Sequence, residues 1–103
     1  MDDSMFDTTV LEAVDEALSI MGDNVKKSIY YFLEADLGLG YNRIPSDLKK
    51  FHDGLHLLFG AGANILENHV RTCLKRKLAV SFPNESELDF VEFVVRLREI
   101  CRG

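Results

Sequence analysis

The chain has few of the residues that interrupt helices or form covalent cross-links. Its two prolines, Pro45 and Pro83, both lie between segments of helical periodicity. Its two cysteines, Cys73 and Cys101, stand among apolar neighbours and form no C-x-x-C pair. Free cysteines behave as small hydrophobic residues, and disulfides belong to oxidising compartments. We therefore predict uninterrupted helices and two buried free thiols in a reducing compartment.

Long hydrophobic runs and a basic amino-terminal segment are also missing. No apolar run approaches the roughly 18 residues that span a bilayer. The first residues, Met1, Asp2 and Asp3, are acidic, and the basic and apolar regions of a signal peptide do not follow them. We expect no membrane partner and a cytoplasmic location.

Positive charge is scarce as well, since the 103 residues carry a net charge of −5. This balance disfavours general affinity for nucleic acid or anionic membranes, which depends on clustered lysine and arginine. The charge is uneven. Residues 1–48 hold ten acidic and three basic residues, giving −7, whereas residues 49–103 hold seven and nine, giving +2. The second half can therefore carry a local basic patch.

The apolar residues that are present recur at helical spacing, and no segment alternates as a strand does. The length suits one domain. We predict an all-α protein, a compact single-domain bundle of about five helices over residues 7–103, after a flexible amino-terminal tail at 1–6. The predicted helices cover residues 9–21, 24–37, 46–59, 61–78 and 86–101.

Two helix starts carry the signature of a capping box, in which side chains bond backbone N–H groups of the first turn. Thr9 with Glu12 is predicted to begin the first helix. Asn84 with Glu87 is predicted to begin the last one, and Ser86 is the alternative cap one turn later.

The third and fourth helices meet at Gly60 and Gly62. We predict that Gly60 ends the third helix. A helical wheel centres the apolar arc of the fourth near Gly62, Leu66 and Cys73, so that Gly62 faces the core and Gly62→Leu should overpack it. No proline separates the two segments, so residues 46–78 can also form one kinked helix.

The last predicted helix has more apolar surface than one buried face requires. Surplus apolar surface in a small domain is typical of a protein interface. The partner at this interface can be a second copy of the chain, which would form a homodimer through this helix. A central position in the bundle explains the same pattern. The predicted interface residues are Tyr30, Tyr31, Phe90, Phe93, Val94 and Leu97.

A dense basic cluster lies in the fourth predicted helix and favours a second interpretation. Helices 46–59 and 61–78, with their glycine turn, can be a helix-turn-helix in a DNA-binding, transcription-associated protein. Its nucleic-acid contacts would be Arg71, Lys75, Arg76 and Lys77. These charges also suit the negative end of the helix dipole.

Two residue pairs resemble parts of catalytic or metal sites. His52 and His56 share a helix face and are candidate metal ligands, but the glutamate of the H-E-x-x-H motif is absent. His69 and Cys73 also lie four residues apart, and we place both in the apolar arc of the fourth helix as core residues. We expect no catalytic residues, no metal, no cofactor and no enzymatic activity.

Four stretches of the chain resemble the Nitrosopumilus-type output domain family, a small helical archaeal module found alone or attached to receiver-like signalling domains. They are residues 25–34, Ile44-Pro45 leading to Phe51, residues 59–67 around the two glycines, and residues 88–94, within a match over roughly 8–97. The resemblance implies an archaeal origin and a non-enzymatic signalling output or adaptor role that works by binding another protein. It brings no catalytic residues.

Overall fold

Five α-helices joined by four short 3₁₀ turns make up the fold, and no strand occurs in residues 1–102, which the computed structural model describes. The prediction of an all-α bundle of five helices is confirmed. The helices are α1 (Asp3–Leu18), α2 (Asp23–Leu37), α3 (Leu48–Phe59), α4 (Ala63–Leu78) and α5 (Phe90–Arg102). The 3₁₀ turns are Ser19–Met21, Tyr41–Ser46, Gly60–Gly62 and Glu85–Glu87.

Helix α1 begins six residues before its predicted start. The Oδ1 of Asp2 accepts a hydrogen bond from the Met5 amide at 2.8 Å and caps the helix. Phe6 is 1% exposed and adds one more turn to the buried stripe. The flexible tail predicted for residues 1–6 is therefore wrong from Asp3 onward. The predicted cap, Thr9, instead donates its hydroxyl hydrogen bond to the Met5 carbonyl oxygen within the helix.

Helix α2 packs on α3 at Gly54, where a side chain is missing. A Cβ at Gly54 would lie 2.6 Å from Cδ2 of Leu33 and 2.9 Å from Cδ1 of Leu37. Of the α2 side chains, only Ile29 and Leu33 are fully buried, so this contact carries much of its packing. Gly54 therefore allows α2 and α3 to approach closely, whereas the sequence predicted an inward-facing, tightly packed glycine at position 62.

Residues 46–78 form two helices. Gly60 has φ +55° and ends α3 as predicted, since that backbone region favours glycine. Gly62 is exposed, and a Cβ there would meet only the Cβ of Phe59 at 3.7 Å. The predicted inward position of Gly62 is wrong. The predicted arc near Gly62, Leu66 and Cys73 lies to one side of the buried face of α4, which consists of Ala63, Leu66, Glu67, Val70 and Leu74.

Helix α5 begins at Phe90, later than the predicted residue 86. Asp89 caps it, because its Oδ1 accepts the Glu92 amide at 2.8 Å. Ser86 lies in the preceding 3₁₀ turn, and Asn84 adopts a left-handed conformation with φ +63°. Both predicted caps are therefore replaced by Asp89.

Helices α1 and α4 form the most extensive contact in the bundle, and α5 packs against α1, α3 and α4. Glu16 pairs with Arg76 and Lys77, which places the last turns of α1 and α4 side by side. The two ends of the described chain also adjoin, since the Met1 nitrogen donates to the Cys101 carbonyl oxygen at 3.1 Å. Within residues 1–102, no helix has the length and hydrophobicity of a membrane span.

Candidate functional site

Glu67 is the one charged side chain that is buried among the described residues, with 4% of its surface exposed. It lies on the inward face of α4, between Ala63 and Val70. Burying a carboxylate costs several kcal/mol unless other groups pair with it and bond its oxygens. Glu67 therefore needs strong partners, and both of them come from α3.

The partners of Glu67 are the two histidines that share a face of α3. Nδ1 of His52 lies 2.5 Å from Oε2 of Glu67, and Nε2 of His56 lies 3.2 Å from Oε1. The imidazole centroids are 4.3 Å apart. One ligand-type atom from each residue lies within 4.8 Å of the others. We call this arrangement the His52–His56–Glu67 cluster.

The cluster opens toward solvent on the imidazole side. The side chains of His52 and His56 are 32% and 30% exposed, whereas that of Glu67 is 5% exposed. A surface cavity adjoins His52, and its lining is mostly charged. The lining residues are Lys49, His52, Asp53, Asp89, Val91 and Glu92. An ion can therefore reach the imidazoles from the surface while the carboxylate stays fixed inside.

Two further carboxylates near His52 are held in their charged form. The Lys49 ammonium, 2.9 Å from Asp53, lowers the pKa of that carboxyl. The hydrogen bond from the Glu92 amide lowers the pKa of Asp89. The mouth of the cluster is therefore acidic, which favours a cation over an anion.

The outer side of the same α3–α4 corner is apolar. Leu57 is 71% exposed, Leu58 41% and Ile65 64%. We call these three residues the corner patch. The connecting turn adds Ala61, which is also exposed. Two helix ends and their link thus present aliphatic side chains to solvent, on the same two helices that carry the His52–His56–Glu67 cluster.

Four of the predicted interface residues belong to the core instead. Phe90, Phe93, Val94 and Leu97 are 2%, 1%, 0% and 0% exposed, respectively. The surplus apolar surface of α5 is explained by its packing against three other helices and against Phe82, whose ring centroid lies 5.9 Å from that of Phe93. These side chains cannot meet a partner while the fold is intact.

The two predicted interface tyrosines have different surroundings. Tyr31 is 75% exposed and remains available to a partner. Tyr30 is half-buried, donates its hydroxyl to Oδ1 of Asp15 at 3.0 Å and packs edge-on against Tyr41. Burial raises the pKa of the Tyr30 phenol, and the Asp15 carboxylate raises it further. Tyr30 therefore links α1 to α2.

The basic residues proposed to contact nucleic acid are each engaged within the chain. Arg71 donates to the Leu88 carbonyl oxygen at 2.7 Å and lies over the Phe93 ring. Lys75 pairs with Glu85, and both Arg76 and Lys77 pair with Glu16. Two carboxylates offset two of the four positive charges, and every basic side chain of the cluster already has a partner within the chain.

The second candidate pair, His69 and Cys73, does not form a buried site. His69 is exposed, contrary to its predicted core position, because the buried face of α4 is rotated away from it. Cys73 and Cys101 are free thiols, as predicted, but both are only half-buried. Burial raises the pKa of the Cys73 thiol, which disfavours the nucleophilic thiolate.

No protein-family model, curated protein or solved structure matches the chain.

Glu67 is the residue that the sequence analysis missed. The i,i+4 spacing of His52 and His56 predicted their shared face, but it does not show which residue of another helix lies opposite. The sequence does contain a pattern that indicates a buried Glu67. Alternating spacings of four and three residues, typical of the buried face of a helix, connect Ala63, Glu67, Val70 and Leu74.

Proposed function

We propose that this protein is a non-enzymatic interaction domain, a signalling output or adaptor module that binds a protein partner through the corner patch. The observation that carries the proposal is the exposure of Leu57 and Ile65, at 71% and 64%. Single exposed aliphatic residues are common, but several of them at one helix–helix junction of a small domain are typical of a protein interface. The resemblance to an output-domain family supports the signalling role.

The charge pattern around the corner patch supports the same function. Residues 54–66 contain no Asp, Glu, Lys or Arg, the longest such run in a chain of which 28% is charged. The centres of protein interfaces are depleted in charged residues. Because α3 and α4 are held together by the buried Glu67, the patch is presented on a rigid corner and a partner need not order it on binding.

Helix α5 offers a less apolar competing surface. Its outer face includes Val91 and Val95 beside charged Glu92 and Arg96, with Leu88 just before the helix, and Val95 is 46% exposed. The nucleic-acid alternative has less support, because the basic cluster is engaged by acidic residues and a carbonyl oxygen of the chain itself.

The first partner to test is a second copy of the chain, measured by sedimentation equilibrium over a wide range of concentration. We expect reversible dimers, and we expect Leu57→Lys with Ile65→Lys to return the protein to a monomer, since two buried charges would be unpaired. Val95→Lys on α5 is the matched control and should leave the dimer intact.

Two outcomes would count against this assignment. A wild-type protein that stays monomeric at every concentration contradicts self-association. A dimer lost in Val95→Lys but kept in the corner variant moves the interface to α5. Circular dichroism of each variant shows whether the fold has survived the substitution.

A further inference from the structure

We propose that the His52–His56–Glu67 cluster binds one transition-metal dication of the Zn²⁺ class, and that the bound ion cross-links α3 to α4. The inference is independent of the protein-interaction function. The supporting observation is the buried Glu67 carboxylate, whose burial is unfavourable in free energy. Its two oxygens face two imidazoles and have no other hydrogen-bond partner among residues 1–102.

The donor set selects the class of metal. Imidazole nitrogen suits Zn²⁺, Fe²⁺, Ni²⁺ and Cu²⁺, whereas Mg²⁺ and Ca²⁺ prefer oxygen ligands alone. Two histidines and one glutamate form one of the three-ligand sets that bind Zn²⁺ in proteins. The cysteine nearest in sequence, Cys73, lies outside the cluster, so a sulfur ligand is not expected.

The distances match a coordination sphere after small side-chain movements. Ligands about 2.1 Å from a tetrahedral Zn²⁺ lie about 3.4 Å from one another. The ligand-type atoms of the cluster span at most 4.8 Å, with contacts of 2.5 Å and 3.2 Å to the carboxylate. His52 and His56 are partly exposed, so their rings have room to adjust, whereas Glu67 is buried and fixes the position of the ion.

Metal binding replaces the two hydrogen bonds to Glu67. Each imidazole presents the unprotonated nitrogen to the ion and carries its proton on the other ring nitrogen. Three protein ligands leave a fourth position for water on the solvent side, near the acidic groups Asp53 and Asp89. The ion then joins residues 52, 56 and 67 and so links the two helices that carry the corner patch.

The test is isothermal titration of the full chain, without a histidine tag, with Zn²⁺. We expect one ion per chain, with affinity lowered about 100-fold or more in Glu67→Gln and in His56→Gln, because ligand loss exceeds the roughly 10–100-fold effect of outer-shell changes. His69→Gln and Cys73→Ser, which alter donors outside the cluster, should bind as the wild type does. X-ray absorption of the Zn²⁺ complex should show nitrogen and oxygen ligands with two imidazoles and no sulfur.

Three results would overturn the proposal: no stoichiometric binding of Zn²⁺, equal affinity in His56→Gln and wild type, or a sulfur ligand in the absorption spectrum. Glu67→Gln sits in the core, so its fold is checked by circular dichroism. If Glu67→Gln does not fold, the Zn²⁺ affinity of His56→Gln, a substitution at a partly exposed position, tests the proposal. A rise in Tm with Zn²⁺ that chelator reverses, seen in wild type and absent in His56→Gln, gives a second readout.

Discussion

At the scale of single residues, two glycines eight positions apart have opposite roles. Gly54 lies inside α3 and faces Leu33 and Leu37 of α2 so closely that a Cβ would overlap both. Gly62 lies in the exposed turn with φ −62°, a backbone conformation that any residue adopts. The helix–helix contact therefore depends on Gly54, and the chain tolerates a side chain at position 62.

Substituting leucine at each position separates these roles. Gly54→Leu should lower the free energy of unfolding by about 1–3 kcal/mol or more, because the added side chain overpacks a filled contact. Gly62→Leu should stay within about 0.5 kcal/mol of wild type, as expected for an exposed site. Chemical denaturation of both variants measures the difference. A larger loss in Gly62→Leu would reverse the assignment.

At the scale of elements, the sequence predicted that the five helices exist, but it did not predict where the first and last of them begin. Strong apolar periodicity identified all five helices, but it left open whether residues 46–78 form two helices or one kinked helix. The first helix start was wrong because Asp2 and Thr9 both suit a cap, and only the burial of Phe6 decides for Asp2. The last start was wrong for the same reason: three polar residues competed, and Asp89 is the one that bonds an amide.

Capping by Asp89 gives a prediction for α5. Asp89→Ala should lower the free energy of unfolding by about 1 kcal/mol, because the Glu92 amide loses its acceptor. Ser86→Ala, at the cap that the sequence suggested, should have little effect. Denaturant titrations of the two variants provide the comparison, and an equal loss in Ser86→Ala would contradict the assigned cap.

The same cap has a consequence for pH. The Glu92 amide lowers the pKa of Asp89 in the folded state, so this carboxylate stabilises the protein above its unfolded pKa of about 3.9. That contribution is lost as the pH falls through the lower, folded pKa. In Asp89→Asn, where the side chain is a neutral cap, this part of the acid dependence should disappear while most of the stability at pH 7 remains.

Only part of the candidate site could be predicted from the sequence. The spacing of His52 and His56 places them on one face of α3, and that part could be predicted. Glu67 lies opposite them only because α3 and α4 turn back on each other across Gly60–Gly62. How the two helices cross depends on packing throughout the bundle, and no local sequence pattern records it.

At the scale of the whole molecule, the bundle is closed by its first and last helices. Arg98 of α5 lies over the Phe6 ring, with 4.6 Å from its guanidinium carbon to the ring centroid, and its Nη2 lies 2.5 Å from Oδ1 of Asp7. Arg102 pairs with Asp3 at 3.0 Å. Exposed ion pairs contribute little individually, so the buried Phe6 ring is the main stabilising element of this closure.

Phe6→Ala should therefore destabilise the whole fold. We expect a loss of about 3–5 kcal/mol, the range for removing a buried phenylalanine. Met5→Ala is the neighbouring control: this side chain is 56% exposed, and its removal should change stability by no more than about 0.5 kcal/mol. Urea denaturation checks both variants. If Phe6→Ala changes the free energy of unfolding only slightly, residues 1–6 do not contribute to the core and the predicted tail is correct.

The contact between the Met1 nitrogen and the Cys101 carbonyl oxygen has a topological consequence. A short linker can join these neighbouring positions, and the resulting ring can be opened again between the exposed Pro83 and Asn84, giving a circular permutant with the same five helices. The same adjacency allows the domain to be inserted into a surface loop of a host protein. The two halves of that loop would stay close together, because the chain enters and leaves the domain at neighbouring positions.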